Sequence, residues 1–533
     1  MKVKTAFIII FLVGLLQAQS FDFVQSHAVD GLNISRLASS IDLDSENRAV
    51  VGRMISNNLN YNYSFGDFAL EKIDVSGNVL WSDTLSGYVH LRGLLVDRND
   101  DIYTYGDFRD SLDVTGLDFP LSTTAETHSW IAKFDTDGQL VWITDVNLSN
   151  IEIENVTAIC EGQEGILIST TAGLGISEIH KMESGGALTT IITQEFVGSA
   201  MSMSVDPFGG LWVTGPTSMG PQSYNGYATD APFSYNQYIV RYSSSGGAQW
   251  VNFVEDVTAE NQQIVTDQNG FAYYGTGLRD DFMFGDIQSQ GPDWVFDFAI
   301  ARLDSNGNFL WLREVPLDDQ LGDGSEGLGT FLDVGADNSV YFSGFTRSTI
   351  DWGNDVITEA DAYNDILILN FSSDGQILWG KTAGGEYQDS GDAISVDPLG
   401  NLWVTGRCGE TASFDSIEVS GAFTNAYVAR LSMNPTSIDL SEPALLSQMT
   451  LEANYPNPFN PSTKINYSLS QPSQVDLRVY DVTGREVSLL VNAYIASGSH
   501  SIDFVPEDIP GGVYIYRLTT SSGVESRKML LVK

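Results

Sequence analysis

The stretch Phe298-Ala-Ile-Ala-Arg302-Leu-Asp304-Ser-Asn-Gly307-Asn-Phe-Leu-Trp311 decides the fold, because its pattern keeps returning along the chain. A basic or polar residue is followed five positions on by Gly and nine positions on by Trp. The spacing recurs at Lys72/Gly77/Trp81, Lys133/Gly138/Trp142, Arg241/Gly246/Trp250 and Asn370/Gly375/Trp379. Lys181/Gly186 keeps it with Thr190 in the Trp position, and Arg430 opens a copy that stops before its Gly. A second motif alternates with the first: apolar residues, Asp, a Gly or Asn turn, then a strand ending in Gly. Examples are Val205-Asp206-Pro-Phe-Gly209-Gly-Leu-Trp-Val-Thr-Gly215 and Asp397 to Gly406. The first-motif anchors fall at 72, 133, 181, 241, 302, 370 and 430, a period near sixty.

Such a period marks a chain built from repeated supersecondary units. Each unit reads as four short antiparallel strands, which together describe one propeller blade. Ile366-Leu-Ile-Leu369 is apolar on both faces, as suits a sheet packed between sheets. The last copy lacks its Trp strand, while Phe21-Asp-Phe-Val-Gln25 precedes the first unit with no unit of its own. That strand is expected to complete the last blade, which removes open sheet edges. The expected fold is all-β. A seven-bladed β-propeller spans 21–432, a Ser/Pro-rich linker 433–450, and a small Ig-like β-sandwich 451–533.

The 69 acidic and 26 basic residues give a net charge of -43, which repels phosphate backbones and anionic lipid. Nucleic-acid partners are therefore not expected. Residues 1–20 read as a signal peptide: Lys2 and Lys4, the apolar run Ala6 to Leu16, then Ala18-Gln-Ser20 as a cleavage site. Cys160 and Cys408 make no disulfide framework and are expected to be buried thiols.

The last eighty or so residues closely resemble the type A C-terminal sorting domain of the type IX secretion system. The matching stretches include Asn454-Tyr-Pro-Asn-Pro-Phe-Asn-Pro-Ser-Thr463, Leu477 to Val487, Gly511 to Leu518 and Lys528 to Lys533. The resemblance implies that Tyr455, Pro456, Asn457, Pro458, Phe459, Gly484, Gly512, Tyr514, Lys528 and Lys533 carry the sorting signal. It implies the secretion machinery as a partner and a secreted or cell-surface address. The repeat region is similar to the β-propeller repeats called SBBP, on Asp297 to Trp311 and Asp397 to Gly406. That family implies a fold and secretion, not an activity.

Asp135-Thr-Asp137-Gly138 and Asp304-Ser-Asn306-Gly307 resemble fragments of a calcium loop. They lack the third early ligand and the later Glu, so they read as turns. None of the five histidines is spaced for a metal site. The first-to-second and third-to-fourth strand turns are short, and function is expected on the opposite, long-loop face. Two loops stand out there. Ser218 to Tyr238 carries Tyr224, Tyr227, Phe233 and Tyr235, aromatics that could stack on a sugar or anchor a protein. Leu317 to Gly327 carries Asp318, Asp319, Asp323 and Glu326, whose oxygens could hold calcium. No other cofactor is expected. The leading function is a monomeric binding protein for a glycan or protein ligand. The competing class is a secreted polysaccharide hydrolase or lyase, marked by two inward carboxylates on the long-loop face.

Overall fold

The structure, a computed structural model, describes residues 19–29, 40–57, 65–114, 121–149, 153–173, 175–255, 261–278, 281–290, 297–316, 324–360, 363–422, 424–433, 449–451, 454, 456–469, 473–481, 485–496, 498–506, 509–520 and 523–532. The signal-peptide reading, most of the linker, and Asp318, Asp319, Asp323, Tyr455, Gly484 and Lys533 fall outside them. The chain divides into two compact units, Met1–Thr436 and Ser437–Lys533.

Among the described residues the first unit is all-β apart from one helical turn at Val146–Ser149. Its strands pair antiparallel in groups of four. The first blade holds Ser40–Leu43, Ala49–Asn57, Gly66–Ile73 and the first half of Val79–Val96. The second takes the other half of that long strand, then Ile102–Val114, Leu121–Phe134 and Leu140–Asp145. The third is Ile153–Gly162, Gly165–Ala172, Ile176–Met182 and Leu188–Glu195. The fourth is Ser202–Val205, Leu211–Tyr224, Tyr227–Tyr242 and Ala248–Glu255. The fifth is Gln262–Thr266, Ala272–Leu278, Asp297–Leu303 and Phe309–Glu314. The sixth is Leu332–Val334, Val340–Thr346, Asp365–Phe371 and Ile377–Ala383. The last is Ser390–Val396, Leu402–Cys408, Asn425–Ser432 and the N-terminal strand Ser20–Ala28. The first strand of each blade touches that of the next, and Ser390–Val396 touches Ser40–Leu43, so the circle closes.

The repeated Asp and Gly are turn residues. At Asp304 the backbone N–H bonds the Asn308 carbonyl, the Gly307 N–H returns to the Asp304 carbonyl, and Gly307 sits at φ 85°. This is a type I turn with a bulge, and its left-handed position favours Gly. Asp304 Oδ1 accepts the N–H groups of Asn306 and Asn308 at 2.9 Å each. Asp135 does the same with Asp137 and Gln139, so both calcium-loop fragments are turns.

The basic residue of the first motif meets the Asp of the second inside the first, fourth and fifth blades. Arg302 reaches Asp267 at 3.0 Å, Arg241 reaches Asp206 at 2.6 Å and Lys72 reaches Asp44 at 2.8 Å. The sixth blade begins its turn with Gly335 instead of Asp, and its third strand carries neutral Asn370. Charge and counter-charge are thus absent together, as burial of an unpaired charge would be costly.

The tryptophans join neighbouring blades. Trp81, Trp142, Trp250 and Trp311 donate Nε1–H to the carbonyls of Thr136, Ser184, Ser305 and Ser373 in the following blade, at 2.9–3.2 Å. Each indole lies over the turn glycine beyond. A Cβ on Gly138, Gly186, Gly307 or Gly375 would come within 2.7–3.0 Å of the ring.

The third blade departs from this plan. Spacing placed Thr190 in the Trp position, but the register puts Thr189 opposite Lys181, because the bulge has moved to between Ile179 and His180. Leu167 faces Lys181 from the other side. No aromatic is present at either position. The fourth blade compensates. Its second and third strands run on past Thr217 as a long hairpin, whose tip pairs Gln194 and Glu195 with Tyr224 and Ser223. Tyr238 and Tyr242 are buried there and bond Gln194 at 3.1 and 2.8 Å.

The second unit is a sandwich. One sheet holds Met449–Leu451, Thr463–Leu469 and Gly498–Phe504; the other holds Glu486–Ile495, Ser473–Asp481, Gly512–Thr520 and Gly523–Leu531. Leu477, Phe459, Tyr516 and Met529 lie in its core.

Candidate functional site

The aromatic loop expected at Ser218 to Tyr238 is a paired hairpin with a two-residue turn at Asn225-Gly226, φ 51° and 88°. Tyr224 is wholly buried, and its hydroxyl donates to Gln222 Oε1 at 2.7 Å. It is a core residue, because the hairpin fills space left by the third blade. Phe233 is half-buried, while Tyr227 and Tyr235 are exposed. Of the expected calcium ligands, only Glu326 is described. It is 9% exposed and accepts from Ser325 Oγ at 2.8 Å. Among the described residues no group of three His, Cys, Asp or Glu could hold a metal ion.

A different set of residues converges on the long-loop face of the sixth and seventh blades. They come from three connections: Arg347 to Asn364, Gly384 to Asp389, and Arg407 to Glu410. Tyr363 is 54% exposed. Tyr387 lies beside it, and its hydroxyl donates to Glu410 Oε2 at 3.1 Å, which raises the phenol pKa. Arg347 Nε donates to Asn364 Oδ1 at 2.7 Å. The Asp389 N–H donates to the Asn364 carbonyl at 2.7 Å.

Asp389 ties the connections together from below. It is fully buried. Its Oδ1 accepts the Gly409 N–H at 2.7 Å and its Oδ2 the Gly385 N–H at 2.9 Å. Burial pushes this carboxyl up to about 7, with the charge of Asp365 adding to the shift and Arg407 opposing it. A Cβ on Gly384 would stand 2.3 Å from Asp365 Oδ1 and 2.8 Å from Asp389 Oδ2, so glycine is required there. Asp365 Oδ1 and Asp389 Oδ2 therefore lie no more than about 5 Å apart. Cys408 is a buried thiol whose pKa is raised by burial, and Cys160 is pushed up to about 12 for the same reason. Neither is activated as a nucleophile.

The sequence reading missed this patch because its parts lie in three separate connections. The available signals were Gly384-Gly385, followed by Glu386-Tyr387, and the polar run Arg407-Cys408-Gly409-Glu410.

In the second unit several residues expected to carry the sorting signal hold the terminal strand. Asn457 Oδ1 accepts the Leu530 N–H at 2.9 Å. The Phe459 N–H donates to the Leu530 carbonyl, and Val532 returns a bond to Phe459. Phe459 is 1% exposed, and Tyr514 donates its hydroxyl to the Pro510 carbonyl at 2.7 Å. Pro456 and Pro458 lie in the bend before Phe459, Gly512 opens the strand Gly512–Thr520, and Lys528 is exposed.

Residues 453–533 match the family model of the secretion system C-terminal sorting domain. With that domain the protein is exported, by the type IX route, to the cell surface or the extracellular space. No curated protein matches the chain. Among solved structures, it is similar to a Bacteroides caccae protein of unknown function, at 11% identity over 60% of this chain and 90% of that one, TM-score 0.30. It is also similar to the Dos1 propeller, at 9% identity over 75% of this chain and 78% of that one, TM-score 0.36.

Proposed function

We propose that this exported propeller is a glycan-binding protein whose contact surface is the long-loop face of the sixth and seventh blades. The supporting observation is the patch formed by Tyr363, Tyr387 and Glu410 above the buried Asp389. The exposed Tyr363 ring and the half-buried Tyr387 ring offer an apolar face with a polar edge, and Glu410 and Arg347 supply hydrogen bonds for hydroxyls. Asp389 holds the underlying loops in place, so little order has to be created on binding. The N-terminal signal and the secretion machinery deliver the protein; the propeller supplies the contact.

A glycan array probed with the mature chain tests this reading. Binding of a defined oligosaccharide is expected. Replacing Tyr363 or Tyr387 by Ala is expected to weaken it tenfold, about 1.4 kcal/mol. Binding that survives both substitutions sinks the reading.

The hydrolase alternative has one observation in its favour, the closeness of the Asp365 and Asp389 carboxylates beneath this face. Both carboxyls are buried, and both oxygens of Asp389 already serve backbone N–H groups. Release of reducing sugar from the array ligand, abolished in Asp389→Asn, would restore it.

A further inference from the structure

We propose that the export machinery recognises this protein on the outward face of the four-stranded sheet of the second unit, by an apolar surface that carries carboxylates, and that the proline-rich segment supports this face from behind. Leu477, Tyr516 and Met529 point from the sheet into the core. Alternation along the strands therefore turns Arg478, Ile515, Arg517, Lys528 and Leu530 outward. An antiparallel sheet with one packed face ordinarily carries polar side chains on the other. The three-stranded sheet does so, with Lys464 and Asp503 outward as an exposed pair at 3.8 Å. The four-stranded sheet does not. Leu489, Tyr494, Ile515 and Leu530 are 47, 71, 36 and 37% exposed there. They are four of the six large apolar side chains exposed among the described residues of this unit.

The same face is cationic, in a chain of net charge -43. Arg478 stands directly opposite Arg517, and Lys528 opposite Ile515. Like charges set opposite each other weaken a sheet, so this arrangement does not serve folding. Asp476 binds Arg478 at 2.6 and 2.8 Å, and the Arg517 guanidinium lies 5.2 Å over the Tyr480 ring. Asp476 is the one carboxylate among the described side chains of the face. Arginine and tyrosine around exposed apolar residues is the composition of a protein interface, and outward cations call for carboxylates on the partner. The occupant follows from the family match: a sorting domain is read during export, on some part of its surface. The proline-rich segment is engaged internally. Phe459 is 1% exposed, Asn457 Nδ2 donates to the Lys528 carbonyl at 3.3 Å, and Asn457 Oδ1 accepts the Leu530 N–H at 2.9 Å. Those bonds fix the strand that presents Lys528 and Leu530. An anionic membrane is disfavoured by the overall charge of the chain. A second copy docked about a two-fold axis would set one cationic patch against another.

This inference is independent of the glycan reading, which rests on the first unit. Its test is surface delivery of the full chain in cells that export it by the type IX route. Ile515→Glu and Arg517→Glu are each expected to lower delivery about tenfold, as loss of an interface anchor does. Lys464→Glu, on the polar sheet, is expected to leave it unchanged. Melting curves of the purified chains separate lost recognition from lost folding. A photoreactive phenylalanine analogue at position 494 reads the contact without a charge change, and an adduct containing a component of the export machinery is expected. Full delivery of both charge variants overturns the proposal, as does an adduct that holds only a second copy of this chain. Binding to phosphatidylglycerol vesicles that Arg517→Glu abolishes would assign the face to lipid and overturn it too.

Discussion

Phe23 stands against Gly77 in the place that tryptophan takes at four other seams. A Cβ on Gly77 would come within 2.9 Å of the Phe23 ring, and Gln25 beside it donates to the Gly77 carbonyl. The N-terminal strand therefore supplies both the missing fourth strand and the missing aromatic. Phe23→Ala is expected to destabilise the first unit by about 2–3 kcal/mol, below the range for fully buried phenylalanine because Phe23 is only half-buried. Urea denaturation followed by tryptophan fluorescence reads the loss; an unchanged midpoint would refute this account of closure.

Trp379 occupies the same position as Trp311 with a different outcome. Trp311 Nε1 donates to Ser373 at 2.9 Å, whereas Trp379 Nε1 is buried without an acceptor. The next blade has no turn to offer one, because its third and fourth strands are opposite ends of the chain. Trp311→Phe is thus expected to cost about 1 kcal/mol more than Trp379→Phe. Paired denaturation curves would show it.

Arg302 and Asp267 form a buried pair. Removing either alone leaves a charge without its partner, and a loss of about 3–5 kcal/mol is expected. The sixth blade suggests the remedy. Arg302→Asn combined with Asp267→Gly copies its Asn370 and Gly335, and is expected to recover at least half of the single-variant loss. A double-mutant cycle measures the coupling.

Stability should fall as pH rises from acid toward neutral at three carboxyls. Burial pushes Asp42 up to about 7, Asp333 up to about 6 and Asp389 up to about 7, against an ordinary value of 3.8. A raised folded-state pKa favours the neutral acid. Its contribution is complete below the unfolded value and is lost as pH rises through the folded one. Asp42→Asn should therefore narrow the difference in melting temperature between pH 4.5 and pH 8. Groups such as Asp44, Glu71 and Asp107 are held low by their basic partners and act in the opposite direction, so the comparison must be between variant and parent.

Phe459 links the proline-rich segment to the last strand of the sorting domain. Phe459→Ala is expected to cost that domain about 3 kcal/mol and to lower export. Cell fractionation would find the variant retained in the periplasm. Normal surface delivery would mean that the signal is read without this strand in place.

The repeat was legible because its spacing has a local cause. The turn needs a left-handed residue five positions after the cation, and the indole must reach the next turn, so Gly and Trp keep their distances. The pairing of Phe21–Gln25 with the last blade was legible for a related reason: the count of strands left one over at each end. The fate of Tyr224 was not. Its segment has the composition of a loop, and the Asn225-Gly226 turn, a hairpin signal in its own right, was passed over. Burial there depends on a vacancy in the preceding blade, which spacing alone does not reveal. The Tyr363–Tyr387–Glu410 patch was hidden for a third reason. Its members meet only once two blades are side by side.

The first strand to leave the ribosome is the last to find its neighbour. Ser20 pairs with Ser432 and Ala28 with Asn425, so about four hundred residues must be made before that ladder can form. Until then the nascent protein is a run of unlatched sheets. Loss of the Ser20–Ala28 strand would leave the circle permanently ajar.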